Sequence, residues 1–154
     1  IANYNCPGQI VITGEAAAVA EAGTALKEAG ARRVLPLKVS GPFHSPMMRP
    51  AGEELAKVFA RVSMNPLKIP YVANINAEVI TDCGRIEGLL VEQVSGSVRW
   101  QQSVETMIRE GVDTFVEIGP GKTLTGFLRK IDKNVKAYHI GSWEEAVQVC
   151  EELK

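Results

Sequence analysis

The sequence predicts an α/β fold, and three observations predict it. Short runs rich in β-branched and aromatic residues recur along the chain, at 9–12, 34–39, 69–73, 113–118 and 135–140. Between them lie stretches whose apolar residues repeat at helical spacing. Clusters of Gly, Pro, Asn and Ser punctuate almost every change from one period to the other. Strands alternating with helices in this way predict a largely parallel sheet.

Taken in order, Asn3-Tyr4-Asn5-Cys6-Pro7-Gly8 has the composition of a turn, and residues 9–14 read as a short strand ended by Gly14. An Ala-rich helix follows through about Glu28 and stops at Gly30. The alternation Val34-Leu35-Pro36-Leu37-Lys38-Val39 predicts a strand over 33–39. Gly41 and Pro42 break it, and Ser45-Pro46 reads as an N-cap followed by proline at the first helical position. The helix so begun carries Met47, Met48, Ala51, Leu55, Val58 and Phe59 along one face, and ends before Asn65-Pro66. Residues 68–80 read as extended with a bend at 74–76. Helices are expected over 85–95 and 100–110, the second closed by Gly111. Residues 113–118 form a nearly continuous apolar strand, the pattern of a strand covered on both faces. Gly119-Pro120-Gly121 then turns into a helix over 122–130. A strand over 135–140 and a helix over 143–153, capped by Ser142, complete the chain.

The 154 residues, 45% hydrophobic and 23% charged, suit a single globular domain able to bury a core. A formal net charge of −1 gives no electrostatic case for nucleic acid or an anionic membrane. The apolar runs are only a few residues long, too short to span a bilayer. Three widely spaced cysteines, Cys6, Cys83 and Cys150, make neither a disulfide framework nor a metal set. A reduced, cytoplasmic protein is the expectation. The first residue is Ile rather than Met, so a fragment of a longer chain is expected too.

Chemistry-bearing motifs are sparse. His44, one of two histidines, falls on the connection between the 33–39 run and the following helix, where rigid elements present a loop side chain. A capping or surface histidine fits the same spacing. Ser45 adjoins it, but neighbours on such a turn point apart, and a Gly-x-Ser-x-Gly elbow is absent. Residues 116–123 resemble a phosphate-binding loop, yet only Pro120 separates the two glycines where that loop needs four residues. A structural turn is the better reading, with helix-start N–H groups that could hold an anion. With no His-x-x-x-His or Cys-x-x-Cys, no metal is expected. The residues by themselves supply one candidate general base and no nucleophile.

Four blocks read together carry more. Asn3 to Gly14, Pro42-Phe43-His44-Ser45, Gln93 with Val98-Arg99-Trp100, and Glu117-Ile118-Gly119-Pro120-Gly121-Lys122-Thr123-Leu124 resemble, in order and spacing, the C-terminal half of the malonyl-CoA:acyl carrier protein transacylase family. The resemblance covers the chain to about residue 140. It implies part of an α/β-hydrolase-like large domain, residues 41–154. It also implies the second half of an inserted ferredoxin-like small subdomain, residues 1–40.

In that family a serine elbow accepts malonyl from malonyl-CoA as an ester and passes it to the phosphopantetheine thiol of acyl carrier protein. A histidine acts as base and then acid. Residue by residue, His44 matches that histidine, and Gln93 matches the residue whose backbone carbonyl orients it. Asn5 matches a polar residue lining the cleft, with Asn3 and Gln9 as weaker candidates. Phe43 matches the position associated with acyl-group choice, its bulk being of the malonyl type. No cofactor is implied, since the CoA thioester and phosphopantetheine are parts of substrates. Malonyl-CoA, acyl carrier protein and the N-terminal half of the enzyme are the implied partners.

The serine, the arginine that pairs with the malonyl carboxylate, and the oxyanion-hole glutamine belong upstream of Ile1. Arg99 and Arg129 do not match that arginine's motif. The chain alone is therefore expected to be inactive. Two other readings stay open: a nucleophile-free module that binds CoA or carrier protein, and an acyltransferase domain cut from a polyketide or fatty acid megasynthase. The ending Gly141-Ser142-Trp143 with its final helix resembles a chain terminus and favours the freestanding enzyme.

Overall fold

In a computed structural model that describes residues 1–154, the chain is mixed α/β, with six α-helices and six strands paired two by two. The largely parallel sheet is not what forms: of three two-stranded sheets, two are antiparallel and one is parallel. Each pair closes locally, through a hairpin, a short bend or one crossover helix.

β1 (Asn3–Cys6) and β2 (Gln9–Val11) form a hairpin about Pro7-Gly8, with Gly8 at φ +77. The turn assigned to 3–8 thus shrinks to its last two residues. Tyr4 faces Ile10 and Cys6 faces Gln9, which leaves Asn5 as the extra residue of a bulge. The outer side of β1 lies along Val98. The Val98 N–H donates to the Ala2 carbonyl at 2.7 Å, and the Tyr4 N–H to the Val98 carbonyl at 2.9 Å.

α1 (Ala16–Glu28) ends as predicted at Gly30. There the Gly30 N–H donates to Lys27 O and the Ala31 N–H to Leu26 O, with Gly30 at φ +93. This closing arrangement needs a left-handed residue. The strand expected over 33–39 does not form. The sequence alternation places Leu35, Leu37 and Val39 at every second position, but these are 63%, 60% and 63% exposed. A strand exists only by its ladder, and no segment of this chain pairs with it. Pro36 removes a donor from the middle of the run as well.

α2 (Arg49–Phe59) follows a single 3₁₀ turn, Pro46–Met48, and ends several residues before Asn65-Pro66. Its buried line runs through Gly52 rather than Met47 or Val58, both of which are exposed. The cause is close approach to α3 (Ile86–Ser95): a Cβ on Gly52 would stand 3.1 Å from the Val91 carbonyl oxygen. β3 (Tyr71–Val72) and β4 (Val79–Ile80) flank the predicted bend. Together with α3 they enclose Ala73, Ile80 and Leu89, against which Leu67, Tyr71 and Ile75 pack.

α4 (Trp100–Arg109) buries Ser103, Val104 and Thr106, and the Thr106 hydroxyl donates to the Ala77 carbonyl at 2.9 Å. β5 (Thr114–Ile118), α5 (Thr123–Ile131) and β6 (Lys136–Ile140) make one parallel crossover unit, in register from Thr114–Lys136 to Ile118–Ile140. α6 (Trp143–Glu152) packs on β6, its first turn capped as expected by the Ser142 hydroxyl oxygen. β5 is not covered on both faces, because Ile118 is 78% exposed. Only 14 of 154 residues are buried, far fewer than a self-sufficient domain of this length would enclose. The apolar pattern is present, but much of it faces outward.

One polar contact secures the β5–α5 turn. The Glu117 carboxylate accepts the Leu124 N–H (3.0 Å), the Thr125 N–H (2.7 Å) and the Thr125 hydroxyl (2.6 Å). Burial alone would raise this carboxyl's pKa. The Thr125 hydroxyl, the two N–H groups and nearby His139 outweigh it, and the group sits below the ordinary carboxylate value. A folded pKa below the unfolded one stabilises fully above the unfolded value, and that contribution is lost as pH falls through the folded value. Glu117→Gln is therefore expected to lower the melting temperature at neutral pH. It should also flatten the fall in melting temperature below about pH 4.3. A melting series against pH checks this, and an unchanged acid limb would show that the contact contributes nothing.

Candidate active site

The site forms where the turn carrying His44 meets the end of α3. Ser45 shapes that turn: its hydroxyl donates to the Pro42 carbonyl at 2.7 Å, and its oxygen accepts the Met47 N–H at 3.3 Å. The side chain is thus a cap, as its place before Pro46 predicts, and its proton is given to the Pro42 carbonyl rather than to the imidazole. His44 takes the left-handed conformation, φ +57, which is costly for a residue with a Cβ and persists only where surroundings hold it.

Those surroundings are two carbonyl oxygens. His44 Nδ1 lies 3.0 Å from the Gln93 carbonyl and 3.1 Å from the Gly96 carbonyl. Helix ends leave their last carbonyls without intrahelical partners, and the C-terminal end of the dipole favours a donor or a cation. Both groups only accept, so Nδ1 carries the hydrogen. The Gln93 amide nitrogen also stands 3.4 Å from Nδ1, but that contact is longer, and the two carbonyls decide the tautomer. Nε2 keeps its lone pair and makes no hydrogen bond to the protein. The arrangement orients the imidazole through Nδ1 and leaves Nε2 free to accept a proton.

Gln93 contributes more than the backbone carbonyl that sequence reasoning named. Its amide donates to Gly96 O at 3.0 Å and Ser97 O at 3.4 Å, while its own oxygen is buried without a partner. The Gly96 carbonyl is a part of the site that the sequence analysis does not name. The signal was available in principle, since a Ser-Gly-Ser break three residues beyond Gln93 marks a helix end with free carbonyls.

The other sequence-derived residues are placed as follows. Asn5 is half-buried on the β1 bulge, and β1 reaches the His44 region through its bridge to Val98, just beyond Gly96. Asn3 forms that bridge, and Gln9 accepts a weak bond from the Cys6 thiol. Phe43 is 47% exposed, with its ring against Gly41. The phosphate-loop likeness is closed off, because Glu117 already occupies the start of α5 through the Leu124 and Thr125 N–H groups. His139 serves that same turn, with Nε2 2.9 Å from Gly119 O and Nδ1 3.4 Å from Glu145. The Glu145 carboxyl lies below its ordinary pKa, chiefly through the Gly141 N–H, against burial and with help from His139 and Lys122. No helix is long and apolar enough to cross a membrane.

Comparison with known proteins gives the chain a family. Residues 1–149 match the family model described as the acyl transferase domain. The malonyl CoA-acyl carrier protein transacylase of Bacillus subtilis (strain 168) is 42% identical over 154 residues, which are 100% of this chain and 49% of that protein. The crystal structure of malonyl CoA-acyl carrier protein transacylase from Clostridium perfringens superposes with a TM-score of 0.93 at 41% identity, over 99% of this chain and 48% of that one. A type II PKS acyl-carrier protein in complex with its malonyl-transacylase gives a TM-score of 0.94 at 38% identity, over 98% of this chain and 49% of that one. The chain spans about half the length of the relatives it matches and corresponds to their C-terminal half. On a match running from its first residue to residue 149, the chain belongs to the acyl transferase domain family.

Proposed function

We propose that this chain is the base-bearing half of a malonyl-CoA:acyl carrier protein transacylase. The observation that carries the reading is the His44 imidazole, held through Nδ1 by two carbonyls and free at Nε2. In the first half-reaction a serine outside residues 1–154 gives its proton to Nε2 as its oxygen attacks the thioester carbonyl of malonyl-CoA. Collapse of the tetrahedral adduct expels the CoA sulfur, which takes the proton back from the imidazolium. In the second, the phosphopantetheine thiol gives its proton to Nε2 and attacks the malonyl ester. The serine oxygen leaves with that proton. A carbonyl in place of a triad carboxylate fixes the tautomer without adding a full negative charge.

Asn5 and Phe43 are assigned to the substrate cleft, Asn5 as a polar lining residue and Phe43 as a wall of the acyl pocket. Residues 1–40 are assigned to a ferredoxin-like small subdomain and residues 41–154 to an α/β-hydrolase-like large domain. The partners are malonyl-CoA, acyl carrier protein and the N-terminal half of the enzyme, and the setting is cytoplasmic fatty acid synthesis. The outward-facing Leu35, Leu37, Val39 and Ile118 support a companion segment, since apolar alternation of this extent ordinarily lies under a neighbour.

Two substitutions in the full-length enzyme test the assignment. His44→Ala is expected to slow malonyl transfer to carrier protein by about 10²–10⁴-fold with an unchanged circular dichroism spectrum. Near-normal turnover would remove His44 from the mechanism. Phe43→Ser is expected to raise the kcat/KM ratio of methylmalonyl-CoA to malonyl-CoA by about 10-fold or more, the scale of one methyl group in a pocket. An unchanged ratio would reduce Phe43 to packing.

A further inference from the structure

The contact between His44 and the end of α3 has a second layer, made by the Gln93 side chain. Its amide nitrogen is 3.0 Å from Gly96 O and 3.4 Å from Ser97 O, and both are acceptors. The reverse orientation would set the amide oxygen against two carbonyl oxygens, so the NH₂ group must face them. Its two hydrogens are committed there, and none is left for His44 Nδ1 at 3.4 Å, itself a donor toward the carbonyls. The side chain reaches the imidazole only through the Gly96 carbonyl.

The residue bearing that carbonyl is held at its N–H and its Cα, while the carbonyl itself depends on the Gln93 amide. The Gly96 N–H donates to Glu92 O at 2.8 Å. A Cβ on Gly96 would collide with Ile75 Cδ1, so the Ile75 side chain lies directly against this glycine. The Ser97 hydroxyl donates to the Ile1 carbonyl, and Val98 is bridged to β1. Residues 96–98 are therefore held at both ends, and the Gln93 amide ties their start to the helix they have just left. Without the amide, Gly96 O would keep only the His44 donor itself and could turn away from the ring. A single carbonyl would then hold the ring.

We propose that the Gln93 carboxamide is a positioning residue, which holds the Gly96 carbonyl as the second acceptor of His44 Nδ1–H and so locks the tautomer that leaves Nε2 basic. The proposal rests on His44 being the general base. It assigns to the side chain of residue 93 a role apart from its backbone carbonyl, which every substitution at that position retains.

The test is Gln93→Met in the full-length enzyme, a near-isosteric change that removes both donors. Expected are a kcat lower by roughly 10–100-fold with KM for malonyl-CoA unchanged, and ¹⁵N shifts showing His44 divided between the two neutral tautomers instead of held as Nδ1–H. Wild-type kcat and tautomer would overturn the proposal. So would activity lost only in proportion to the folded fraction, with the wild-type tautomer in the folded molecules. Should Met at this position prevent folding, Gln93→Asn draws the donor back by one methylene, and the same two readouts decide. His44→Ala in the same assay separates the two levels. Loss of activity there with an unaffected Gln93→Met enzyme sinks only the positioning role. Retained activity in His44→Ala sinks the general-base reading itself.

Discussion

The site depends on one interaction, the seating of His44 Nδ1 between the Gln93 and Gly96 carbonyls at 3.0 and 3.1 Å. It joins parts of the chain 49 residues apart, and it resolves two local problems at once. The end of α3 leaves carbonyls without partners, and the His44 backbone adopts a left-handed conformation that needs support. Each supplies what the other lacks. The chemical consequence follows from hydrogen-bond roles alone: two acceptors on Nδ1 leave the lone pair on Nε2.

Other helix ends are settled by the chain's own groups in the same way. Ser45 caps the turn before α2, Ser142 caps α6, and Glu117 reaches across from β5 to the first free N–H groups of α5. The last of these, through the Leu124 and Thr125 N–H groups, argues against the phosphate-loop reading. An N-terminus already holding a carboxylate is not a vacant phosphate cradle, however glycine-rich its approach. The end of α3 is answered instead by an imidazole, which donates to its carbonyls through Nδ1 and keeps a second nitrogen free.

Helices were legible because their determinants are local. Gly30 closes α1 and Ser142 opens α6 where sequence reasoning put them, and α4 and α5 begin and end within a residue or two of their expected limits. Strands were less legible, because a strand is a relation between segments. The run at 33–39 has the right alternation and no ladder, while Asn3–Cys6 has turn-like composition and pairs on both sides. The 113–118 pattern predicts a doubly covered strand, yet Ile118 lies open. His44 as a candidate base came from the sequence, but its link to Gln93 came only through family resemblance, since no local pattern encodes a contact across 49 residues. The Gln93 amide and Gly96 escaped because their roles follow from how α3 ends in space.

The central claim is that this chain supplies the base and the nucleophile lies elsewhere. The most direct measurement is intact-mass spectrometry of the full-length enzyme incubated with malonyl-CoA, followed by peptide mapping of the adduct. One malonyl group on a serine outside residues 1–154 is the expected result. A malonyl group carried on a residue within 1–154, or an active enzyme that never forms the adduct, would contradict it.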